Sequence, residues 1–169
     1  QSVIFDIQRK LDNVPGAGEL KRALLQTALS RLHEVSNQFA SRRSIDRNTK
    51  VALDELGDVF LRIGSGTSGS PEADGPLPSA RKVYQQAFEI AKKLAAADPG
   101  NAQAQRDLAI SYEKLGDVQL RSGQVSEALA SYLKSLEIKQ KLAGIDPSDA
   151  HTQRDLLISY SKVANVQLQ

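Results

Sequence analysis

The sequence predicts an all-α protein built as a stacked array of antiparallel helix pairs. Three observations lead there. Gln105–Leu120 returns 48 residues later as Gln153–Leu168, with 11 of 16 positions identical. Apolar residues recur at helical spacing along the chain, and no segment alternates apolar with polar as a half-buried strand does. Finally, Asp98-Pro99-Gly100-Asn101 and Asp146-Pro147-Ser148-Asp149 punctuate equivalent joints. Self-similarity at a fixed period implies units that bury their apolar faces on their neighbours rather than around one centre.

The elements follow in order. Residues 2–12 place Val3, Ile4, Ile7 and Leu11 near one helical face, and Asn13-Val14-Pro15-Gly16-Ala17-Gly18 ends that helix with turn chemistry. A second helix is expected over 19–40, carrying Leu24, Leu25, Ala28, Leu29, Leu32 and Val35. The next, over 45–63, contains Leu56-Gly57-Asp58-Val59, which matches Leu115-Gly116-Asp117-Val118 at a spacing of 59. That offset is one period plus 11, and the surplus lies in the Gly-, Ser- and Pro-rich segment 64–78, expected to be a flexible insertion. Helices are then expected over 79–97, 101–122, 125–145 and 149–168. Proline closes a helix at each Asp-Pro joint, and Asn101 or Asp149 can cap the next by accepting from its free N–H groups. Ser122-Gly123-Gln124 is the tight turn within one unit. The whole chain, 1–169, reads as one array: N-terminal helices over 1–44, a first repeat over 45–97, a second over 101–145, and the first helix of a third over 149–169.

Composition excludes several classes of work. With 22 basic and 20 acidic residues, the chain lacks the charge excess of a dedicated nucleic-acid or polybasic membrane surface. No apolar run reaches the roughly 18 residues that span a bilayer, and no signal peptide is visible. The absence of cysteine removes disulfides and thiolate metal sites. There is no methionine, Gln1 already lies in a helical pattern, and the second copy stops unfinished at Gln169. A piece of a longer protein is therefore expected.

Within 108–145 the pattern resembles the tetratricopeptide repeat. Tyr112, Leu115-Gly116, Gly123, Ala128, Tyr132 and Ser135 stand at its large-aromatic, Leu-Gly, turn-glycine, alanine, aromatic and alanine positions. Leu53, Leu56-Gly57, Gly64, Ala80, Tyr84 and Ala87 do the same around the insertion, and Tyr160, Val163 and Ala164 open a further copy. The physical logic is independent of the name: Gly57, Gly116 and Ala164 are small where helices approach, and the tyrosines fill the gaps between layers. The usual repeat is about 34 residues, so the units here have longer helices. The resemblance implies a right-handed superhelical stack, about three units with seven helices. A narrower resemblance rests on Ser2-Val3-Ile4-Phe5-Asp6-Ile7, Leu11-Asp12-Asn13-Val14-Pro15-Gly16 and the Gln-Arg-Asp-Leu…Ser-Tyr…Leu-Gly-Asp-Val…Asp-Pro repeats. These are similar to the C-terminal region of certain bacterial serine/threonine protein kinases. It implies a kinase domain and a membrane-spanning anchor ahead of the array, which then lies on the extracytoplasmic side; without it, a cytoplasmic protein is expected. No kinase motif lies in this chain.

Catalytic and cofactor chemistry finds no foothold. Gly64-Ser65-Gly66-Thr67-Ser68-Gly69 spells a phosphate-loop glycine pattern, but a helix precedes it where a strand is needed and no lysine follows. His33 and His151 lie in different helices without ligand spacing, so no metal site, no cofactor and no enzymatic activity are expected. The remaining candidate is the concave groove, which the tetratricopeptide resemblance lines with the first helix of each unit. That mapping puts Asp54, Asp58 and Arg62, then Glu113, Asp117 and Arg121, then Ser161 and Asn165, into a polar, partly acidic stripe. It suits a protein or peptide of basic or mixed character anchored on Asp58 and Asp117. In the bland alternative Asp58–Arg62 and Asp117–Arg121 are solvated i,i+4 pairs worth about 0.3–0.5 kcal/mol each. Two readings follow: an interaction module in a larger bacterial signalling protein, or a structural spacer that self-associates through an exposed terminal helix.

Overall fold

The computed structural model describes residues 43–64 and 76–168, together with Ala23 and Thr27. Five helices run through residues 43–64 and 76–168: α1 (Arg43–Gly64), α2 (Pro76–Ala97), α3 (Ala102–Arg121), α4 (Val125–Ile145) and α5 (Ala150–Gln167). Among the described residues there is no strand, and the protein is all-α with a repeat-like helical architecture. The helix expected over 2–12 and His33 lie outside the described residues, as does the helix expected over 19–40 except for Ala23 and Thr27, which are helical.

Each helix packs on the next in sequence. Between α3 and α4 the contacts run in reverse order: Glu113 meets Lys139 while Asp117 meets Tyr132. Neighbours are therefore antiparallel, as short connections between packed helices require. Alternate helices run parallel, since Arg47 and Asp58 on α1 meet Asp107 and Lys114 on α3.

The joints behave as their residues dictate. Asn101 Oδ1 accepts from Ala104 N at 3.0 Å, and Asp149 Oδ1 accepts from His151 N at 3.0 Å, capping α3 and α5. Gly123 takes φ +75°, a left-handed conformation that favours glycine, and closes the α3–α4 turn. One boundary differs from expectation. The helix expected from residue 79 begins at Pro76, so the last part of the presumed insertion is helical. Proline is compatible with a first turn, where the N–H it lacks has no intrahelical acceptor, and composition alone conceals this.

The core is a chain of linked clusters. Leu53, Leu56, Val59, Phe60, Val83, Tyr84, Phe88, Leu115 and Val118 join α1, α2 and α3. Ala128, Tyr132, Leu136, Val163 and Val166 continue it through α4 and α5. Gly57 and Gly116 mark the closest approaches. A Cβ on Gly57 would lie 2.3 Å from the Tyr84 ring, and one on Gly116 would lie 2.6 Å from the Tyr132 ring.

Candidate functional site

The polar stripe expected along α1, α3 and α5 divides into three layers by depth. The innermost holds Asp54 and Glu113, whose side chains are 12% exposed. Both are largely buried, and their ion pairs turn inward rather than to solvent. Each is instead matched to a buried lysine. Lys139 on α4 reaches Glu113 at 2.8 Å, and Glu113 also accepts from Ser159 Oγ of α5 at 2.6 Å. Asp54 takes Lys50 of its own helix at 2.8 Å. Its second oxygen, Oδ1, is buried without a hydrogen-bond partner. Burial is the largest influence on Asp54, and it pushes the carboxyl above its ordinary range against the lowering pull of Lys50.

The middle layer holds Asp58 and Asp117, and it repeats. Tyr84 OH donates to Asp58 Oδ1 at 2.6 Å, and Lys114 donates to the same oxygen. Tyr132 OH donates to Asp117 Oδ1 at 2.7 Å, and Lys162 donates there too. Each lysine ammonium also lies near the face of its tyrosine, 5.7 Å from the Tyr84 centroid and 5.2 Å from that of Tyr132. Each aspartate thus ties three helices together: its own, the partner that supplies the tyrosine, and the next first helix that supplies the lysine. Burial first, and the hydrogen bond to the aspartate second, push both phenols far above their ordinary range, so they remain neutral donors. Sequence reading weighed only Arg62 and Arg121 as partners of these aspartates. The signal for the lysines was present, because Lys114 and Lys162 differ by the 48-residue period.

The outer layer holds Arg62 and Arg121, both exposed. The edge of the middle layer is also open to solvent: the side chains of Asp58 and Lys114 are 42% and 26% exposed, and those of Asp117 and Lys162 33% and 28%. A ribbon of alternating charge therefore crosses α1, α3 and α5. Ser161 and Asn165 on α5 are exposed for another reason: among the described residues, no helix covers the face equivalent to the α3 face under α4.

A second set of ties joins the helix starts. Arg47 binds Asp107 at 2.7 Å, and at the equivalent place Arg106 binds Asp149 at 3.2 Å, Asp155 at 3.5 Å and Thr152 at 2.7 Å. The Thr152 hydroxyl is the main influence holding the Asp149 carboxyl below its usual range. Where the second joint has Asp149 and Thr152, the first has Asn101 and Ala104. A cavity of about 310 Å³ remains there, lined by Arg47, Leu94, Asn101, Gln103 and Ala104 among others. Among the described residues, no group of three or more His, Asp or Glu side chains is placed to hold a metal ion, and His151 is exposed. No helix of the described residues is long and apolar enough to cross a membrane. No protein-family model matches the chain, and no curated protein matches it.

Proposed function

We propose that this chain is a non-catalytic protein-interaction module, a tetratricopeptide-like array whose concave face receives an extended peptide or a partner domain. The observation that supports it is the solvent-open ribbon of Asp58, Arg62, Lys114, Asp117, Arg121 and Lys162, which runs in register across three parallel helices. The aspartates and lysines neutralise one another, and the exposed Arg121 adds positive charge at the ribbon's edge. The ribbon therefore suits a partner of mixed charge that carries carboxylates, rather than the purely basic peptide that free aspartates would favour. On this reading the chain is the regulatory or sensor region of a larger bacterial signalling protein, such as a serine/threonine kinase, and the compartment follows from that parent.

The test is site-specific photo-crosslinking in the native host. A photoreactive residue at position 121 should trap a discrete protein adduct, and one at position 134, on an exposed part of α4, should not. The added substitution Arg62→Glu should weaken the adduct, and raised salt should as well. Equal trapping at both positions would sink the groove assignment.

The structural reading, a spacer or self-association element, draws on a different observation. Leu157, Ile158 and Tyr160 on α5, and Leu168 just after it, are 66%, 42%, 46% and 86% exposed. A rise in mass with concentration in light scattering, with no adduct at position 121, would favour it over the first.

A further inference from the structure

The two joints of the array carry the same arginine in different company. Arg106 on α3 is held by α5 and its cap: it binds Asp149 at 3.2 Å, Asp155 at 3.5 Å and the Thr152 hydroxyl at 2.7 Å, and Thr152 in turn donates to Asp149. Its counterpart Arg47 on α1 meets Asp107, the equivalent of Asp155, through Nε at 2.7 Å and Nη2 at 3.4 Å. The other two partners are replaced, Asp149 by Asn101 and Thr152 by Ala104. The cavity of about 310 Å³ lies at this place, between the start of α1, the end of α2 and the start of α3. Leu94 on its wall is half-buried, whereas the equivalent Leu142 is buried.

The replacements change what the joint can bind. Asn101 uses Oδ1 to cap α3, accepting from Ala104 N at 3.0 Å, as Asp149 uses its own Oδ1 to cap α5. The atom left over differs. Asp149 presents a second carboxylate oxygen, which accepts from Arg106 and Thr152. Asn101 presents Nδ2, which can only donate, and the guanidinium of Arg47 also has only donors. Two donors, one of them charged, thus line the cavity where the second joint has an acceptor between arginine and cap. Charge permits an anion there. The second joint carries Asp146, Asp149 and Asp155 with Arg106; the equivalents at the first are Asp98, Asn101 and Asp107 with Arg47, one negative charge fewer. Access permits it too, because the Arg47 side chain is 45% exposed against 29% for Arg106. Among the described residues the ion pairs of Arg106 run forward to α5 and its cap, none back to the helix before α3. The equivalent place at the first joint therefore belongs to α1, α2 and α3.

We propose that this cavity binds a small organic monocarboxylate. Its carboxylate accepts from Arg47 and Asn101, in place of the Asp149 side chain, and its apolar body rests against Leu94 and Ala104. The volume suits a small molecule of this kind. The site shares no residue with the charged ribbon and stands whether or not the ribbon receives a partner.

The test uses the full chain and para-fluorobenzoate, with binding followed by fluorine NMR. The acid should bind, and the neutral para-fluorobenzamide should bind at least about ten-fold more weakly, since it lacks the charge that pairs with Arg47. Asn101→Asp combined with Ala104→Thr copies the second joint and keeps the helix cap. It should weaken binding of the acid at least about ten-fold and raise the urea midpoint, because Arg47 then has acceptors of its own. Asn101→Ser also keeps the cap but brings no carboxylate, and should hold the acid within a few-fold of the unaltered chain. The proposal is overturned if the acid does not bind, if the amide binds equally, or if the double substitution leaves affinity unchanged. Loss of binding in Asn101→Ser equal to that in the double substitution overturns it as well. So does displacement of the acid at lower concentration by inorganic phosphate or by a short peptide with a free C-terminal carboxylate, because a different anion or a protein tail would then be the ligand.

Discussion

The α1–α2 and α3–α4 pairs solve one electrostatic problem in two ways. Both bury an acid at the same position, Asp54 in the first and Glu113 in the second, and both supply a buried lysine. In the first pair the lysine comes from the acid's own helix, with Lys50 one turn away and Ala91 opposite. In the second it comes from the facing helix, with Ala109 in place of Lys50 and Lys139 in place of Ala91. The second solution is the better satisfied. Lys139 also donates to Asp155 O at 3.3 Å and Glu113 receives Ser159, whereas Asp54 leaves one oxygen unpartnered. A lysine on the same helix reaches its acid without binding a second helix to it. A cross-helix lysine completes its pair only when α3 and α4 are packed together, and its bond to Asp155 O draws in α5, so it contributes to the stacking itself.

The comparison can be broken most sharply at Lys139. Lys139→Ala leaves Glu113 buried without a cation, and should cost about 3–5 kcal/mol in urea unfolding. Adding Ala109→Lys, which rebuilds the first pair's arrangement in the second, should recover most of that loss. A double variant no more stable than the single would show that the two arrangements are not interchangeable.

Overpacking comes next. Gly57→Ala and Gly116→Ala each force a methyl into a tyrosine ring, and should cost about 1–3 kcal/mol even though alanine is the better helix former. Ala164→Gly, at the uncovered equivalent, should cost only the roughly 1 kcal/mol of helix propensity. If Gly116→Ala stabilises the protein, the ring contact is softer than the geometry indicates. Tyr84→Phe and Tyr132→Phe each remove a hydrogen bond to a charged carboxylate while the aspartate keeps its lysine, so about 1.5–3 kcal/mol is expected for either.

The smallest effect separates the pairs by pH. Because burial raises the Asp54 pKa, the folded state holds that proton more tightly than the unfolded chain does. Its contribution is therefore fully favourable below the ordinary value of 3.8 and is lost as pH rises through the higher folded value. Lys50→Leu combined with Asp54→Ser copies the residues of α5 and removes this dependence. The difference between the urea midpoints of the two proteins should shift in the variant's favour as pH rises from below the ordinary value toward neutrality. A shift in the opposite direction would mean that the Lys50 pair outweighs the desolvation of Asp54.

Much of this was legible in the chain. The period of 48, the Asp-Pro joints with their Asn101 and Asp149 caps, the Gly123 turn and the close approach at Gly57 and Gly116 follow from local rules. Helix periodicity, capping and the steric needs of glycine act over a few residues, and repetition confirms each one. Even the inter-helix lysines obey the period. What one dimension could not supply was depth. Asp54, Asp58 and Arg62 lie on consecutive turns and read as one stripe, yet tertiary packing buries the first, ties the second to α2 and α3, and exposes the third. The same holds for Leu157 and Ala109, which occupy one position of the repeat and differ in exposure because α4 covers only one of them. Local sequence determined which residues form helices and which faces are apolar. Only the packing decided which charges are buried with a partner and which remain open, because burial depends on neighbours that are distant in sequence.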